Sequence, residues 1–241
     1  MKLRICLLLL GAMSQGLAQI SASAILQRVD QIRSPGADFT FMVRVDYQHG
    51  VETSTSELEV WVRERDKSLV FYRQPSHQQG RALLLDGHNL WIYIPGSRRP
   101  LRISPQQRLM GGAANIDVAR VIFSLDYSAD RLEVSSWQGL SCLTLQLTAL
   151  KENATYYRIH LWVRADNYQP IRAEFFGHSG KRLRTVNYRD YQHQLGEMRP
   201  TTLEIINPLN KEEKTILYYS KLRRHKTPIE YYQPAYLSRL K

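Results

Sequence analysis

The chain opens, after its first 20 residues, with the hydrophobic spacing of one amphipathic helix. Apolar residues recur there every three or four positions, as one face of a helix requires. Ser21 or Ser23 can cap the start of this helix, and Pro35-Gly36 supplies its end. The apolar positions of the predicted helix are Ala22, Ile25, Leu26, Val29 and Ile32.

After this helix the hydrophobic period changes to two, which predicts β-strands. Turn signals such as Asp86-Gly87 and Pro95-Gly96 separate the alternating segments. About a dozen strands in sequence favour a strongly curved antiparallel sheet or barrel. The predicted strands cover residues 39–47, 56–63, 69–73, 81–86, 89–94, 132–136, 140–150, 155–163, 171–176, 183–191, 201–207 and 214–222.

Alternation within the strands assigns their two faces. In "ELEVWVR" the apolar residues are Leu58, Val60 and Val62, and the same period continues in "SCLTLQLTAL" and "TYYRIHLWV". One face of the sheet is therefore apolar. The opposite face carries aromatic rings, which either pack under a second layer or lie half exposed. These rings belong to Trp61, Trp91, Tyr93 and Trp162.

The segment "RPLRISPQQRLMGGAANIDVARVIFSLDY" (99–127) interrupts the strands and does not have a strand pattern. Gly111 and Gly112 are expected to act as a hinge, followed by a short apolar helix from about Asp117 to Leu125. We expect this helix to cover the apolar face as a lid. The lid residues predicted to face inward are Ile116, Val121, Ile122 and Phe123.

These elements predict a mainly β fold with a few helices. A strongly curved antiparallel sheet forms an open half-barrel, and short lid helices close it. The absence of a linker, a low-complexity segment or an internal repeat favours a single domain over residues 19–241. Two short helices do not easily fill such a half-barrel, so its interior is either packed by side chains or open for a hydrophobic ligand.

The first residues have the layout of a secretory signal peptide. Lys2 and Arg4 precede an apolar run, and small residues end at Ala18, so we expect residues 1–18 to be removed. The apolar run is too short to span a bilayer. The expected product is a soluble periplasmic protein. Its remaining cysteine, Cys142, is predicted to be a buried thiol.

The chain is basic, with 33 Lys and Arg against 22 Asp and Glu. Removal of Lys2 and Arg4 lowers the net charge from +11 to +9. In an exported protein, anionic lipid surfaces or acidic proteins are more plausible partners than nucleic acid. Two basic runs are interpreted either as solvated loops or as docking sites for a membrane or a membrane partner. They contain Arg98, Arg99, Arg102 and Arg108, and Lys221, Arg223 and Arg224.

Motifs for catalysis are absent from the sequence. There is no His-Glu-x-x-His, Gly-x-Ser-x-Gly or Cys-x-x-Cys, and Gly111-Gly112 lacks the Gly-Lys-Ser/Thr of a phosphate loop. The histidines are scattered singly. The sequence therefore predicts a protein that is not an enzyme and that has no cofactor and no metal.

Four segments of the chain share their order and spacing with a known family. They are "LWIYIPGSRRPLRIS" (90–104), "LMGGAANIDVARVIFSLDYSADRL" (109–132), "DNYQPIRAEFFGHSGKRLRTVNYRDY" (166–191) and "MRPTTLEIINP" (198–208). These segments resemble the bacterial outer-membrane lipoprotein-sorting family, in the LolA-like branch of the LolA/LolB periplasmic carriers. The resemblance implies an open β-barrel closed by helices that binds lipid-modified cargo in an apolar cavity. It also implies association with an inner-membrane ABC or RND-type transporter.

One departure concerns the lid. Better-known carriers have a Trp-Val-Lys-Arg-Pro segment whose arginine helps to hold the lid. The nearest stretch here, "EVWVRERDKS", has Arg63 and Arg65 but no proline. The sequence assigns that contact to neither arginine. Past the last strand, "TPIEYYQPAYLSRLK" is expected to wrap the barrel, as the family's tail does.

The resulting hypothesis is a monomeric carrier that moves acylated lipoprotein or lipid between an inner-membrane transporter and an outer-membrane acceptor. An alternative is a sensor or an accessory subunit that binds lipid or lipoprotein and docks onto the transporter without transferring cargo. A third interpretation is a structural β-domain with a filled core. The residues predicted to bind cargo are Leu58, Val60, Val62, Val70, Leu83, Leu85, Leu90, Ile92, Leu143, Leu145, Leu147, Ile159, Leu161 and Phe175.

Overall fold

The computed structural model describes residues 21–240 apart from 37, 105–107, 111–112, 115–121, 153, 155 and 211. It begins with the predicted helix, α1 (Ala22–Arg33). The Ser21 side chain caps this helix by accepting a hydrogen bond from the backbone N–H of Ala24 at 3.1 Å. The helix is amphipathic, because Ile25, Leu26, Val29 and Ile32 are buried and its other face is largely exposed.

Each of the twelve predicted strands is present, and three short strands were not predicted. The strands are β1 (Phe39–His49), β2 (Glu52–Arg63), β3 (Lys67–Gln74), β4 (Ala82–Asp86), β5 (Asn89–Tyr93), β6 (Leu101–Ile103), β7 (Arg108–Met110), β8 (Ala113–Ala114), β9 (Tyr127–Trp137), β10 (Leu140–Ala149), β11 (Arg158–Arg164), β12 (Pro170–Phe176), β13 (Arg182–Gln194), β14 (Glu197–Ile206) and β15 (Glu213–Arg224).

Thirteen of these strands form one antiparallel sheet in the order β6-β5-β4-β3-β2-β1-β15-β14-β13-β12-β11-β10-β9. Each strand pairs with its neighbour in sequence, except that β1 pairs with β15. That ladder joins two meanders into one surface. Strands β6 and β9 are the two edges, so the curved sheet is not closed, and the prediction of a mainly β, open half-barrel is confirmed. Strands β7 and β8 pair only with each other.

The curvature has a local cause in the ladders. Register shifts interrupt five of the twelve ladders of the large sheet, for example between Gln146 and Leu147 and between Phe175 and Phe176. An extra residue on one strand bends that strand and increases its twist. Shifts of this kind let a thirteen-stranded sheet curl around its own apolar face.

We call the side of the sheet that packs against α1 the inner face. Its strand residues are the apolar positions of the alternating pattern, and together with α1 they form the larger hydrophobic cluster of the molecule. The buried helix residues Ile25, Leu26 and Val29 belong to this cluster, as do Phe123 and Tyr127 from the end of the 99–127 segment. In the described part of the chain, one helix and one turn thus cover the inner face.

The opposite side of strands β2 to β5, the outer face, is covered by the C-terminal tail. Two short 3₁₀ helices, Ile229–Tyr232 and Pro234–Arg239, place Tyr232 and Leu237 against Leu69, Phe71 and Leu84. The Trp61 ring lies 4.7 Å from that of Phe71. Trp61, Trp91 and Tyr93 therefore pack under a second layer, and the expectation that the tail wraps the sheet is met.

The tail is also held by hydrogen bonds at its start. The Arg63 guanidinium donates to the backbone carbonyl of Thr227. The Thr227 and Tyr232 hydroxyl groups are 2.7 Å apart and buried. Arg63 therefore contacts the tail, and the described contacts of this residue do not include the turn that covers the inner face.

Two predictions for the 99–127 segment are corrected. It contains the short strands β6, β7 and β8, although its sequence has no strand pattern. The described end of the predicted lid helix, Ile122–Asp126, is a turn in which Phe123 O accepts from the N–H of both Asp126 and Tyr127. Residues 115–121 lie outside the described residues. The next strand starts at Tyr127, five residues earlier than predicted, because this turn leads directly into β9.

Removal of a tail anchor should destabilise the fold. Leu237 is 0% exposed, and Leu237→Ala leaves a cavity that is expected to lower the free energy of unfolding by about 2–5 kcal/mol. Leu209→Ala is the matched control, because Leu209 is 62% exposed and its truncation should change that energy by less than about 0.5 kcal/mol. Urea unfolding measures both. Equal effects of the two variants would contradict the packing of the tail.

Candidate ligand-binding site

All fourteen residues predicted to bind cargo lie in or against the inner-face cluster. Twelve are buried, and the remaining two, Ile92 and Leu143, are partly buried at its margin. Strand alternation explains this convergence, because residues two apart along a strand point to the same side. The structure therefore brings these side chains onto one surface, and contact with a ligand stays a prediction.

The cover over this surface is made by the protein's own apolar side chains. The Phe123 ring lies 6.3 Å from Tyr127 and 6.3 Å from Phe175, in an edge-on and a tilted arrangement. Both Ile122 and Phe123 are buried, and Phe123 belongs to the inner-face cluster, while Ile122 lines the neighbouring polar cavity; their role as a lid stays a prediction. The other predicted lid residues, Gly111, Gly112, Ile116 and Val121, lie outside the described residues.

A buried carboxylate fastens the cover to the helix. Asp30 of α1 is 3% exposed, and its two oxygens accept the backbone N–H groups of Phe123 at 2.7 Å and Ser124 at 2.8 Å. These two bonds replace the backbone bonds that a helix over this stretch would have made. They also explain how a carboxylate is tolerated there, since a buried charge needs hydrogen-bonding partners.

Sequence reasoning missed Asp30, although a signal was present. Asp30 follows Leu26 by four residues and therefore lies on the apolar face of α1. A lone carboxylate at such a position needs a buried partner. The sequence of the helix alone, however, does not reveal that the partners of Asp30 are backbone N–H groups more than 90 residues away.

The C-terminal end of α1 is anchored by an arginine of β14. Arg199 donates to the backbone carbonyls of Gln31 at 2.6 Å and Ile32 at 2.8 Å, and to that of Gln194 at 3.0 Å. The last carbonyls of a helix lack partners within the helix, and a cation satisfies them well. Arg28, near the middle of α1, forms an ion pair with Glu197, which lies with Arg199 in the β13–β14 hairpin.

An open polar cavity of about 520 Å³ lies between α1, the β13–β14 hairpin and the turn at Ile122. Its charged lining comprises Arg28, Arg65, Arg199, Asp30 and Glu197. This cavity adjoins the turn that covers the apolar surface. The predicted apolar interior is filled by α1 and Phe123 in the described part of the chain.

The predicted docking residues do not form one surface. Arg98, Arg99 and Arg102 are exposed near the β6 edge, and Arg108 begins β7. Lys221, Arg223 and Arg224 are exposed on β15, and five strands separate β15 from β6. These are two separate basic sites, and their role stays a prediction.

Three further features of the described chain concern its cysteine, metal ligation and membrane-spanning helices. Cys142 is buried, which confirms the predicted thiol environment. Within the described ranges, no group of three or more His, Cys, Asp or Glu side chains is placed to hold a metal ion. No helix in that part of the chain is long and apolar enough to cross a bilayer.

Comparison with solved structures finds a LolA superfamily protein from Nitrosomonas europaea with 32% sequence identity and a TM-score of 0.85. The match covers 90% of this chain and 100% of that protein. The chain belongs to the LolA superfamily. A family model described as "Uncharacterized protein" matches residues 64–239 of this LolA superfamily member. No curated protein matches it.

Two further structures share the LolA superfamily fold at lower identity. A Vibrio parahaemolyticus domain described as an outer membrane lipoprotein-sorting protein has 21% identity and a TM-score of 0.75, with coverage of 90% of this chain and 100% of that domain. A DUF1329 family protein from Desulfovibrio piger has 18% identity and a TM-score of 0.75, over 90% of this chain and 97% of that protein. At these identities the likeness shows the fold alone.

Removal of the Asp30 carboxylate should release the turn from the helix of this LolA superfamily protein. Hydrogen bonds to a charged group contribute about 1.5–3 kcal/mol each, so Asp30→Ala should speed amide exchange at residues 122–124 by about ten- to a hundredfold. Asp166→Ala is the control, because Asp166 is an exposed carboxylate paired with Arg164. Hydrogen–deuterium exchange measures the effect, and unchanged protection in Asp30→Ala would contradict it.

Proposed function

We propose that the protein is a carrier that binds the acyl chains of a lipid or lipid-modified protein on the inner face of its sheet. The observation that carries this proposal is the continuous apolar surface of the inner face. More than ten strands contribute apolar residues to one cluster, and in the described part of the chain one helix and one turn cover it. Membership of the LolA superfamily supports the same reading.

The physical need for such a carrier follows from the cost of exposing hydrocarbon to water. Transfer of one methylene group into water costs about 0.8 kcal/mol, so an ordinary acyl chain costs on the order of 10 kcal/mol. Spontaneous desorption from a membrane is therefore slow. A protein that replaces water by Leu, Val and aromatic side chains lowers this cost, and no catalytic group is required.

Cargo uptake requires the cover to move, because the inner face is filled by apolar groups of α1 and by Phe123. Among the described residues, the polar bonds of the cover are those of Asp30 to the N–H groups of Phe123 and Ser124, of Arg199 to the end of α1, and of Arg28 to Glu197. Displacement of the cover by acyl chains exchanges one set of apolar contacts for another. The net cost of opening is thus far smaller than that of exposing the inner face to water.

The proposed setting is the periplasm, with residues 1–18 removed as a signal peptide. Cargo passes from an inner-membrane transporter to an outer-membrane acceptor, and the protein acts as a monomer without catalysis. The exposed basic residues at the β6 edge and on β15 support brief contact with anionic membrane surfaces. The Vibrio domain described as lipoprotein-sorting suggests acylated lipoprotein as cargo.

Mass spectrometry of an organic extract tests the cargo directly. Protein purified from periplasm without detergent is expected to carry near-stoichiometric acylated molecules, with an unrelated periplasmic protein as the control. Their masses name the cargo class. An empty extract from a folded protein would contradict the carrier proposal and favour a domain that docks onto a transporter without carrying lipid.

Replacement of one buried alanine on each face by leucine tests which face binds the acyl chain. Ala173 lies on the inner face at 0% exposure and Ala82 on the outer face at 1%. Each change to leucine overpacks a core and costs about 1–3 kcal/mol in stability. The larger side chain of Ala173→Leu occupies inner-face volume that several methylene groups of the acyl chain would fill, so the variant should bind fatty acid about tenfold or more weakly. Ala82→Leu should leave the affinity unchanged. Displacement of a fluorescent fatty acid measures both, and equal affinities would place the acyl chain elsewhere.

A further inference from the structure

Two arginines lie within the otherwise apolar inner face. Arg33 is the last residue of α1, and Arg184 lies on β13 with 6% of its surface exposed. Val186 and Tyr188, two and four residues after Arg184, belong to the inner-face cluster. Strand alternation therefore directs Arg184 to the same side. Neither arginine was identified from the sequence.

The two guanidinium groups flank one cluster of aromatic rings. The Arg33 Cζ atom lies 3.9 Å from the centre of the Phe123 ring. The Arg184 Cζ atom lies 4.3 Å from the Tyr156 ring and 4.5 Å from the Phe175 ring. Since the Phe123 and Phe175 rings are 6.3 Å apart, both cations face the same group of rings.

Among the described residues, no carboxylate forms an ion pair with Arg33. Its Nη1 atom is buried and has no hydrogen-bond partner in the described part of the chain. Asp30, three residues earlier on the helix, already accepts the N–H groups of Phe123 and Ser124. Ring contacts offset only part of the cost of burying a cation. An orphaned guanidinium N–H in an apolar site is a binding site for an anion.

Polar groups of β13 and β15 lie close to Arg33. Burial, with a smaller contribution from the nearby charge of Arg33, lowers the pKa of Arg184 to about 9. Burial also raises the pKa values of the hydroxyl groups of Tyr188 and Tyr219, so both remain neutral hydrogen-bond donors. A cavity of about 40 Å³ adjoins Arg33, and Phe39, Phe41 and Tyr219 are among its walls.

We infer that Arg33 binds the oxyanion head, a carboxylate or a phosphate, of an amphiphile whose acyl chain lies along the inner face. This inference rests on the proposed carrier function and names its cargo as acidic. A guanidinium presents paired N–H donors that match the two oxygens of a carboxylate or a phosphate. An oxyanion there supplies the missing partner of Arg33 Nη1, while the surrounding rings continue into the apolar wall that holds the chain.

Four ligands with one identical alkyl chain test this inference: dodecanoic acid, dodecyl phosphate, dodecanol and dodecylamine. Displacement of a neutral fluorescent probe gives each affinity for the full mature chain at neutral pH. At least one of the two anions should bind about ten- to a hundredfold more tightly than dodecanol, and dodecylamine should bind more weakly than dodecanol. The tighter anion distinguishes a fatty acid from a phosphate-headed lipid.

Substitution of Arg33 localises the effect. Arg33→Gln should bring the ratio of anion to dodecanol affinity to within about threefold of one, and Arg33→Lys should restore part of the preference because it keeps the charge. Arg44→Gln is the control, because Arg44 lies on β1 with its Cζ 4.4 Å from the Tyr218 ring but is exposed and paired with Asp46. The control should keep the wild-type preference.

The outcomes separate this inference from the carrier proposal. Equal binding of all four ligands by the wild-type chain would overturn the acidic-head site and leave the carrier proposal standing. Binding of none of them would overturn both. An anion preference that survives in Arg33→Gln would also overturn the assignment to this arginine. If Arg33→Gln does not fold, the comparison of ligands on the wild-type chain still decides whether an acidic head is preferred.

Discussion

The whole architecture depends on covering one apolar surface. Thirteen strands place their apolar side chains on the inner face, and a sheet of that size cannot leave this face in water. The register shifts curl the sheet around the face, and α1 and the turn at Phe123 close it. Because the cover is small and the face is large, few contacts of the cover have to be exchanged for the surface to accept another apolar body.

The ladder between β1 and β15 makes this surface continuous. Residues near position 40 pair with residues near position 220, so the two meanders become one sheet only when the distant ends of the chain meet. The tail that follows β15 then folds back over the outer face of β2 to β5. Packing of Tyr232 and Leu237 covers the outer face, whereas the inner face is covered by the apolar packing of α1 and Phe123 together with the polar bonds of Asp30 and Arg199.

Local patterns were sufficient to predict the strands and the two faces, because alternation in stretches such as Leu143, Leu145 and Leu147 reflects burial on one side. The same local patterns do not reveal which residues distant in the sequence contact each other. The apolar residues Ile122 and Phe123 suggested a helix, but the carboxylate of Asp30 on α1 accepts the backbone N–H groups of Phe123 and Ser124 instead. The positions of Arg33 and Arg184 were equally invisible, since a helix terminus and a strand beginning with three basic residues in "KRLR" are typical of solvent-exposed sites.

The interior therefore combines two kinds of selectivity that come from different parts of the chain. The strands supply a non-directional apolar surface, which distinguishes hydrocarbon from water but not one acyl chain from another. The polar groups lie at its margin, on α1 and the β13–β14 hairpin, where Asp30 and Arg199 hold the cover and the Arg33 Nη1 atom has no hydrogen-bond partner among the described residues. Arg33 stacks on the ring of Phe123, and Asp30 accepts the backbone N–H of the same residue. A head group bound by Arg33 therefore lies next to a bond that holds the cover. Recognition of a head group and opening of the apolar surface are thus coupled by the same few residues.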